Sequence, residues 1–268
     1  MIVDVPSWEH FGTHEQSAYP ELWDGVRAYY APCLGPTGTR LADLGGSSNW
    51  GTLTNMDAAT DWVVDGGRYA LDFDGSNDLV DISFSAFAGV SNATISGWFR
   101  RTATSAFGPM FGTGQSGTAA SRFNVLVWSD GNVYVATNSN EFALFASNDL
   151  LLHHILVVFD GLKTGNTNRL KIYLDGRQVN LSYNGTVQST LGNGNNWWMG
   201  ITQLNQAGTG RIFENVGWTR SLSANEALQL YQIGRGGMLT PAPNPALFAF
   251  PSNPLAIFAA SHAAVIGG

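Results

Sequence analysis

Arg122-Phe-Asn-Val-Leu-Val-Trp128 and Asn132-Val-Tyr-Val-Ala-Thr137 flank Asp130-Gly131. Two short runs rich in β-branched and aromatic residues, joined by Asp-Gly, are a strong hairpin signal. The same grammar recurs outward along the chain. Leu170 to Leu174 and Gln178 to Tyr183 flank Asp175-Gly176, a second expected hairpin. Tyr69 to Ile82 holds two short strands around Asp74-Gly75-Ser76-Asn77. Ala93 to Arg100 alternates Ile95, Gly97 and Phe99 with Thr94, Ser96 and Trp98, so its two faces differ. His153 to Asp160 is continuously apolar in its middle, as expected of a strand buried on both faces. Trp197 to Ile201 and Arg211 to Arg220 supply the last strands. Ser223-Ala-Asn-Glu226 is a capping box that opens a helix to about Ile233, with Gly234 at its end. One short helix beside so many strands excludes an α/β fold. The expected class is all-β: a two-sheet antiparallel jelly-roll sandwich with one short C-terminal helix and extended arms at both ends.

The 268 residues divide by composition into an N-terminal arm (1–22), a β-sandwich body (23–237) and a C-terminal arm (238–268). The last is rich in Pro, Ala and Phe, and its prolines at 241, 243, 245, 251 and 254 forbid a continuous helix or a central strand. An apolar arm in water is an aggregation hazard. Phe248, Phe250, Leu255, Ile257 and Phe258 are therefore expected to lie across the chain's own body or a neighbouring subunit. Charged residues make up 12% of the chain, about half the usual share. The net charge of −7 carries no basic stripe, so nucleic acid is not an expected partner. The single cysteine, Cys33, allows no internal disulfide and reads as a small buried hydrophobe. The N-terminus lacks the pattern of a signal peptide, and no stretch approaches the length of a membrane span, so no membrane partner is expected.

Six motifs stand in a known order, the first of them in three pieces. Val26-Arg-Ala-Tyr-Tyr30, Leu41-Ala-Asp43 and Asn49-Trp-Gly-Thr-Leu53 open the series. Leu71-Asp-Phe-Asp-Gly-Ser-Asn-Asp-Leu-Val80, Thr94-Ile-Ser-Gly-Trp98, His153-His154, Lys171-Ile-Tyr-Leu-Asp-Gly176 and Gly210-Arg-Ile-Phe-Glu-Asn-Val216 follow. Over residues 23–233 the chain resembles laminin-G-like domains of the concanavalin A-like lectin/glucanase superfamily. Trp50 stands where the family usually has His, and Phe213 and Asn215 depart from its Ile-Asp-Glu-Val. The resemblance implies two antiparallel sheets in a jelly roll; the fold alone does not fix a function.

Asp72, Asp74, Asn77 and Asp78, with Asp81 nearby, form the best metal candidate, because clustered hard oxygens can hold Ca²⁺. The competing reading is that Asp74-Gly75 and Asn77 simply build the turn. Glycoside hydrolysis needs two carboxylates roughly 5–10 Å apart, and the glucanase branch places them by a Glu-x-Asp-x-Glu alternation that this sequence lacks. Glu226 is explained by the capping box and Glu214 by its strand, so no enzyme activity is expected. His153 and His154 are adjacent on a strand and point to opposite faces, so a shared metal is disfavoured. Gly112-Thr-Gly-Gln-Ser-Gly117 opens no helix and is not a nucleotide loop. Trp50, Trp128, Trp197 and Trp198, with Trp8, are the candidate platforms for sugar stacking.

Two functions follow. The first expectation is a non-catalytic assembly protein, resembling laminin-G-like domains of phage virions, as a capsid decoration or a tail or fibre component. It would be made in the host cytoplasm and partnered by itself or another capsid or tail protein. The alternative is a carbohydrate-binding lectin-like module, extracellular or on a cell surface.

Overall fold

A computed structural model of the chain describes residues 17–114, 122–138, 141–192, 196–200 and 207–241. Its strands in chain order are β1 (Val26–Tyr30), β2 (Arg40–Leu41), β3 (Gly51–Thr54), β4 (Trp62–Asp65), β5 (Arg68–Asp74), β6 (Leu79–Ile82), β7 (Asn92–Arg101), β8 (Met110–Thr113) and β9 (Phe123–Val127). They continue as β10 (Asn132–Ala136), β11 (Phe142–Ala146), β12 (Leu152–Asp160), β13 (Leu170–Leu174), β14 (Arg177–Gln178), β15 (Ser182–Asn184), β16 (Trp197–Met199) and β17 (Thr209–Trp218). Helices are α1 (Pro20–Trp23), α2 (Asn166–Arg169) and α3 (Ala224–Ile233); α1 and α2 are single turns.

Among the described residues, eight strands form one antiparallel sheet in the order β14-β13-β12-β7-β17-β5-β4, with β1 also on β17. Nine form the other, in the order β15-β11-β10-β9-β8-β16-β6-β3-β2. The expected all-β, two-sheet antiparallel sandwich is what forms. Ile95, Phe99, Val157 and Phe159 face Phe111, Phe123, Val125 and Trp197 in the core between the sheets. The opposite face of the eight-stranded sheet is covered too. There Trp98, Leu156, Phe213 and Trp218 pack against Leu22, Leu34, Leu230 and Met238. This explains the unbroken apolar run of β12: both of its faces are enclosed, and His153 to Phe159 are all buried.

The expected Asp130-Gly131 hairpin joins β9 to β10, with Val133 opposite Val127. At Asp175-Gly176 both residues have positive φ (51° and 74°), the geometry of a two-residue hairpin turn. The second strand, however, is shorter than its sequence suggests. After β14 the chain leaves the sheet, and Ser182–Asn184 pairs with β11 in the other one. The turn after Asp74 also crosses between sheets, since β5 and β6 lie in different ones.

Along one edge β17 pairs first with β5 and then with β1, while β7 runs along its other edge. A bulge between Ile212 and Glu214 marks the hand-over and leaves both Phe213 and Glu214 on the covered outer face. α3 starts on the expected capping box, with Ser223 Oγ accepting from the Glu226 amide and Glu226 accepting from the Ser223 amide. The packed body begins earlier than residue 23: Leu22 is fully buried and Ser17 pairs with Pro241. Ser17 Oγ (2.7 Å) and Trp23 Nε1 (3.0 Å) both donate to the Met238 carbonyl, and the Ala18 amide donates to the Thr240 carbonyl at 2.8 Å. The two ends of the described body are thus tied side by side.

Candidate functional site

Trp50 stands on the loop between β2 and β3, and Asp43 organises that loop. Asp43 Oδ1 accepts from the amides of Tyr29 (3.0 Å) and Gly45 (2.9 Å), and Oδ2 accepts from the Asn49 amide at 3.4 Å. Tyr30 donates its hydroxyl to the Asn49 carbonyl at 2.8 Å, and Ser47 donates to the Arg27 carbonyl at 3.0 Å. Five hydrogen bonds among seven residues make a rigid mount. On it the Trp50 side chain is 52% exposed. Thr52, two residues further along, is opposite Asp81 of β6, and Phe84 follows just beyond the end of that strand. The Arg27 guanidinium lies over the Phe84 ring at 5.4 Å. Arg27 is the bulge residue between Val26 and Ala28, which turns its side chain outward.

Trp128 belongs to a different place. It sits on the solvent side of the nine-stranded sheet in a row of rings. Phe107 meets it edge-on at 4.9 Å, Tyr134 lies 5.5 Å away, and Phe142 is 5.3 Å beyond Tyr134. Tyr134 donates its hydroxyl to Asp130 at 2.8 Å. Mutual edge contacts leave Trp128 half-buried. Trp197 and Trp198 cannot be sugar platforms as they stand, because they are 0% and 1% exposed. They alternate on β16, Trp197 into the inter-sheet core and Trp198 beneath the outer cluster with Met110 and Leu126. Trp8 and the arm residues Phe248, Phe250, Leu255, Ile257 and Phe258 lie outside the described residues.

The acidic cluster forms a turn and an ion pair. Asp78 Oδ2 accepts from the Asp74 amide at 2.8 Å, and Asp74 Oδ1 from the Ser76 amide at 2.7 Å. The Asn77 carbonyl accepts from Asn55 at 3.1 Å. Asp72 turns to Arg211 at 3.4 Å. Burial, partly opposed by the Asp74 amide, raises the Asp78 pKa. Among the described residues no group of three or more His, Cys, Asp and Glu is gathered to hold a metal ion. Of the four residues singled out for Ca²⁺, Asp74 and Asp78 thus accept from backbone amides of the turn, Asp72 pairs with Arg211, and Asn77 takes part through its backbone carbonyl.

The paired histidines part as alternation demands. His153 lies between two carboxylates, Nδ1 to Asp175 Oδ2 and Nε2 to Asp149 Oδ1, each at 2.8 Å. The bond to Asp175 holds its pKa above the ordinary value. His154 stacks on Trp98 (5.0 Å), and burial holds it down at about 4. It lines a small space beneath α3 with Trp98, Glu214, Leu230 and Met238. Glu214, 4% exposed, accepts from the Gly236 amide at 2.8 Å. Burial raises its pKa to about 7, against the opposing pull of Tyr29, the Gly236 amide, Arg235 and Arg68. Cys33 is 2% exposed in the same outer core.

One constellation escapes sequence reading. Arg100 and Arg211, opposite each other on β7 and β17, both grip Asp65, which comes from the far side of the sheet in chain order. Three residues spread from 65 to 211 carry no local signature.

Two sheets packed face to face under a helical cover define a lectin-like β-sandwich. The sequence pattern of the laminin-G-type family, in the concanavalin A-like lectin/glucanases superfamily, matches residues 74–227, more than half of the 268. The chain belongs to that family. No curated protein matches its sequence. Solved structures match by fold. A Trypanosoma rangeli sialidase in complex with sialic acid superposes with a TM-score of 0.58 at 12% identity, over 81% of this chain and 34% of that one. Botulinum neurotoxin type C, whose cell entry depends on two ganglioside molecules, gives 0.57 at 10% identity, over 80% of this chain and 52% of that one. The binding domain of botulinum neurotoxin DC in complex with SialylT gives 0.57 at 11% identity, over 79% and 52%. The chain thus spans about a third to a half of the length of these proteins.

Proposed function

We propose that the chain is a non-catalytic glycan-recognition module with Trp50 as its stacking platform. The observation that carries this reading is an indole 52% exposed on a loop immobilised by Asp43. A large ring left in water on a rigid mount gains nothing within the chain, whereas an apolar sugar face would cover it at little entropic cost. Asn49 and Ser47 on the same loop, and the outward Arg27, supply polar groups around it. The sandwich proteins it resembles include ones solved with sialic acid and SialylT. A glycan array, run with and without Ca²⁺, should return specific hits that Trp50→Ala weakens at least tenfold at unchanged thermal stability. An array without hits, or hits indifferent to Trp50→Ala, overturns the reading.

A second reading, assembly, draws on a separate observation: Ser17 and Pro241 are paired, so the flanking sequences leave the body at one point. The 242–268 stretch is apolar and studded with proline. Anchored in a neighbouring copy or in another capsid or tail protein, it would make the sandwich a phage decoration, tail or fibre component located on the virion. The alternative location, extracellular or cell-surface, goes with glycan binding alone. Cutting after Pro241 spares the Met238 and Thr240 contacts. Under the assembly reading the full-length oligomer becomes a folded monomer by light scattering; identical masses for both chains overturn it.

A further inference from the structure

The chain carries 13 Lys and Arg against 20 Asp and Glu, yet four arginines converge on the outer face of the eight-stranded sheet near the β4–β5 turn. Asp65, 8% exposed, sits among them. Arg100 Nη1 donates to its Oδ1 at 2.6 Å and Arg211 Nη1 to its Oδ2 at 2.8 Å. Arg235 donates to the Asp65 and Gly66 carbonyls, both at 3.1 Å, and lies over the Phe213 ring at 4.7 Å. Arg68 is opposite Asp65 in the β4–β5 register and is exposed. Against these four charges stand Asp65 and Asp72, the latter 3.4 Å from Arg211. The next carboxylate, Glu214, is sealed under α3 and holds the Gly236 amide.

Neutralising Asp65 needs one guanidinium fork; the site holds several. The Nε–H groups of Arg100 and Arg211 are buried and have no acceptor, although both side chains remain partly open, at 31% and 27%. Buried donors normally find partners, so orphaned ones beside an excess of positive charge point to a missing acceptor. Planar guanidinium forks fixed in place suit a planar or tetrahedral oxyanion better than a mobile ammonium would.

We propose that Arg100, Arg211, Arg68 and Arg235, ordered by Asp65, form a binding site for the carboxylate or sulfate group of an acidic saccharide. The oxyanion site stands on the arginine geometry; its saccharide half rests on the glycan reading above. The test is titration of the full chain at low ionic strength, followed on the arginine Nε–Hε NMR signals. The probes are sodium sulfate, sodium glucuronate and glucose 6-sulfate, with glucose and sodium chloride as controls. Sulfate, glucuronate and glucose 6-sulfate should move the Arg100 and Arg211 signals, and the controls should not. Arg68→Gln, which removes an exposed charge, should weaken binding at least threefold while thermal stability holds. Arg211→Lys, which keeps the charge but loses the fork, should weaken it at least tenfold. Tighter glucuronate than glucose 6-sulfate assigns the site to carboxylates, and the reverse order assigns it to sulfate esters. Response to free sulfate alone overturns the saccharide half. No response to any anion, or binding unchanged in both variants, overturns the site. Arginine signals that still shift in Trp50→Ala show that the anion site stands without the Trp50 platform, so the two readings fail separately.

Discussion

Trp197→Ala is expected to destabilise the sandwich by roughly 3–5 kcal/mol, the usual cost of removing a buried indole. Trp197 is fully buried at the centre of the nine-stranded sheet, where β16 lies between β6 and β8. Its ring meets Phe87 at 5.5 Å and Tyr30 at 6.3 Å. Gly217 has no side chain for a reason: a Cβ there would come within 2.6 Å of the indole. The indole also has a polar duty. Nε1 donates to Asn215 Oδ1 at 2.7 Å, and Asn215 Nδ2 in turn donates to the Ser96 carbonyl at 2.6 Å. Trp197→Phe therefore separates the two contributions. It keeps much of the volume but orphans a buried amide oxygen, at about 1–3 kcal/mol. Urea midpoints for both variants, with an unchanged slope, are the measurement. A loss below about 1 kcal/mol for the alanine variant would contradict the packing described.

Glu214→Gln is expected to act in the opposite direction, and only above acidic pH. Burial lifts the Glu214 pKa from 4.5 to about 7 in the fold. Between those values the folded state holds a proton that the unfolded chain has released, so stability falls as pH rises. The gap between 4.5 and about 7 corresponds to roughly 3 kcal/mol, lost progressively and fully absent above pH 7. Glutamine keeps an oxygen for the Gly236 amide and cannot ionise. The variant should match the parent at pH 4.5 and exceed its stability by up to about 3 kcal/mol at pH 8. Chemical denaturation at the two pH values decides it: parallel profiles for the two proteins would mean that Glu214 does not ionise against burial.

Much of the fold was legible because alternation and turn chemistry are local. Ile95, Gly97 and Phe99 against Thr94, Ser96 and Trp98 announced the two faces of β7, and Ser223 with Glu226 announced α3. Which sheet a strand joins is not local. Nothing in Asp74-Gly75-Ser76-Asn77 distinguishes a hairpin from a crossing, and only the core contacts made by Phe73 and Val80 in opposite layers decide it. The same limit shaped the site. Trp50 and Trp197 are one residue type, and their exposure depends on strands far away in sequence. Trp50 follows a loop pinned by Asp43, whereas Trp197 follows a stretch leading into the middle of a sheet. The acidic run around Asp74 looked like a cage because spacing alone cannot show that its oxygens already serve backbone amides. Asp65 with Arg100 and Arg211 was invisible for the converse reason: long-range register on β7 and β17 makes the cluster.

The pairing of Ser17 with Pro241, closed by the Ser17–Met238 and Ala18–Thr240 hydrogen bonds, has a consequence for how this body can be used as a building unit. A domain whose two ends touch occupies a single point of attachment on whatever carries it. It can be spliced into a surface loop of a host protein without prying that loop apart. By the same geometry, a short bridge from 241 back to 17 would allow the chain to be circularly permuted. New termini could then open at the exposed turn around Leu162 with every strand pairing intact.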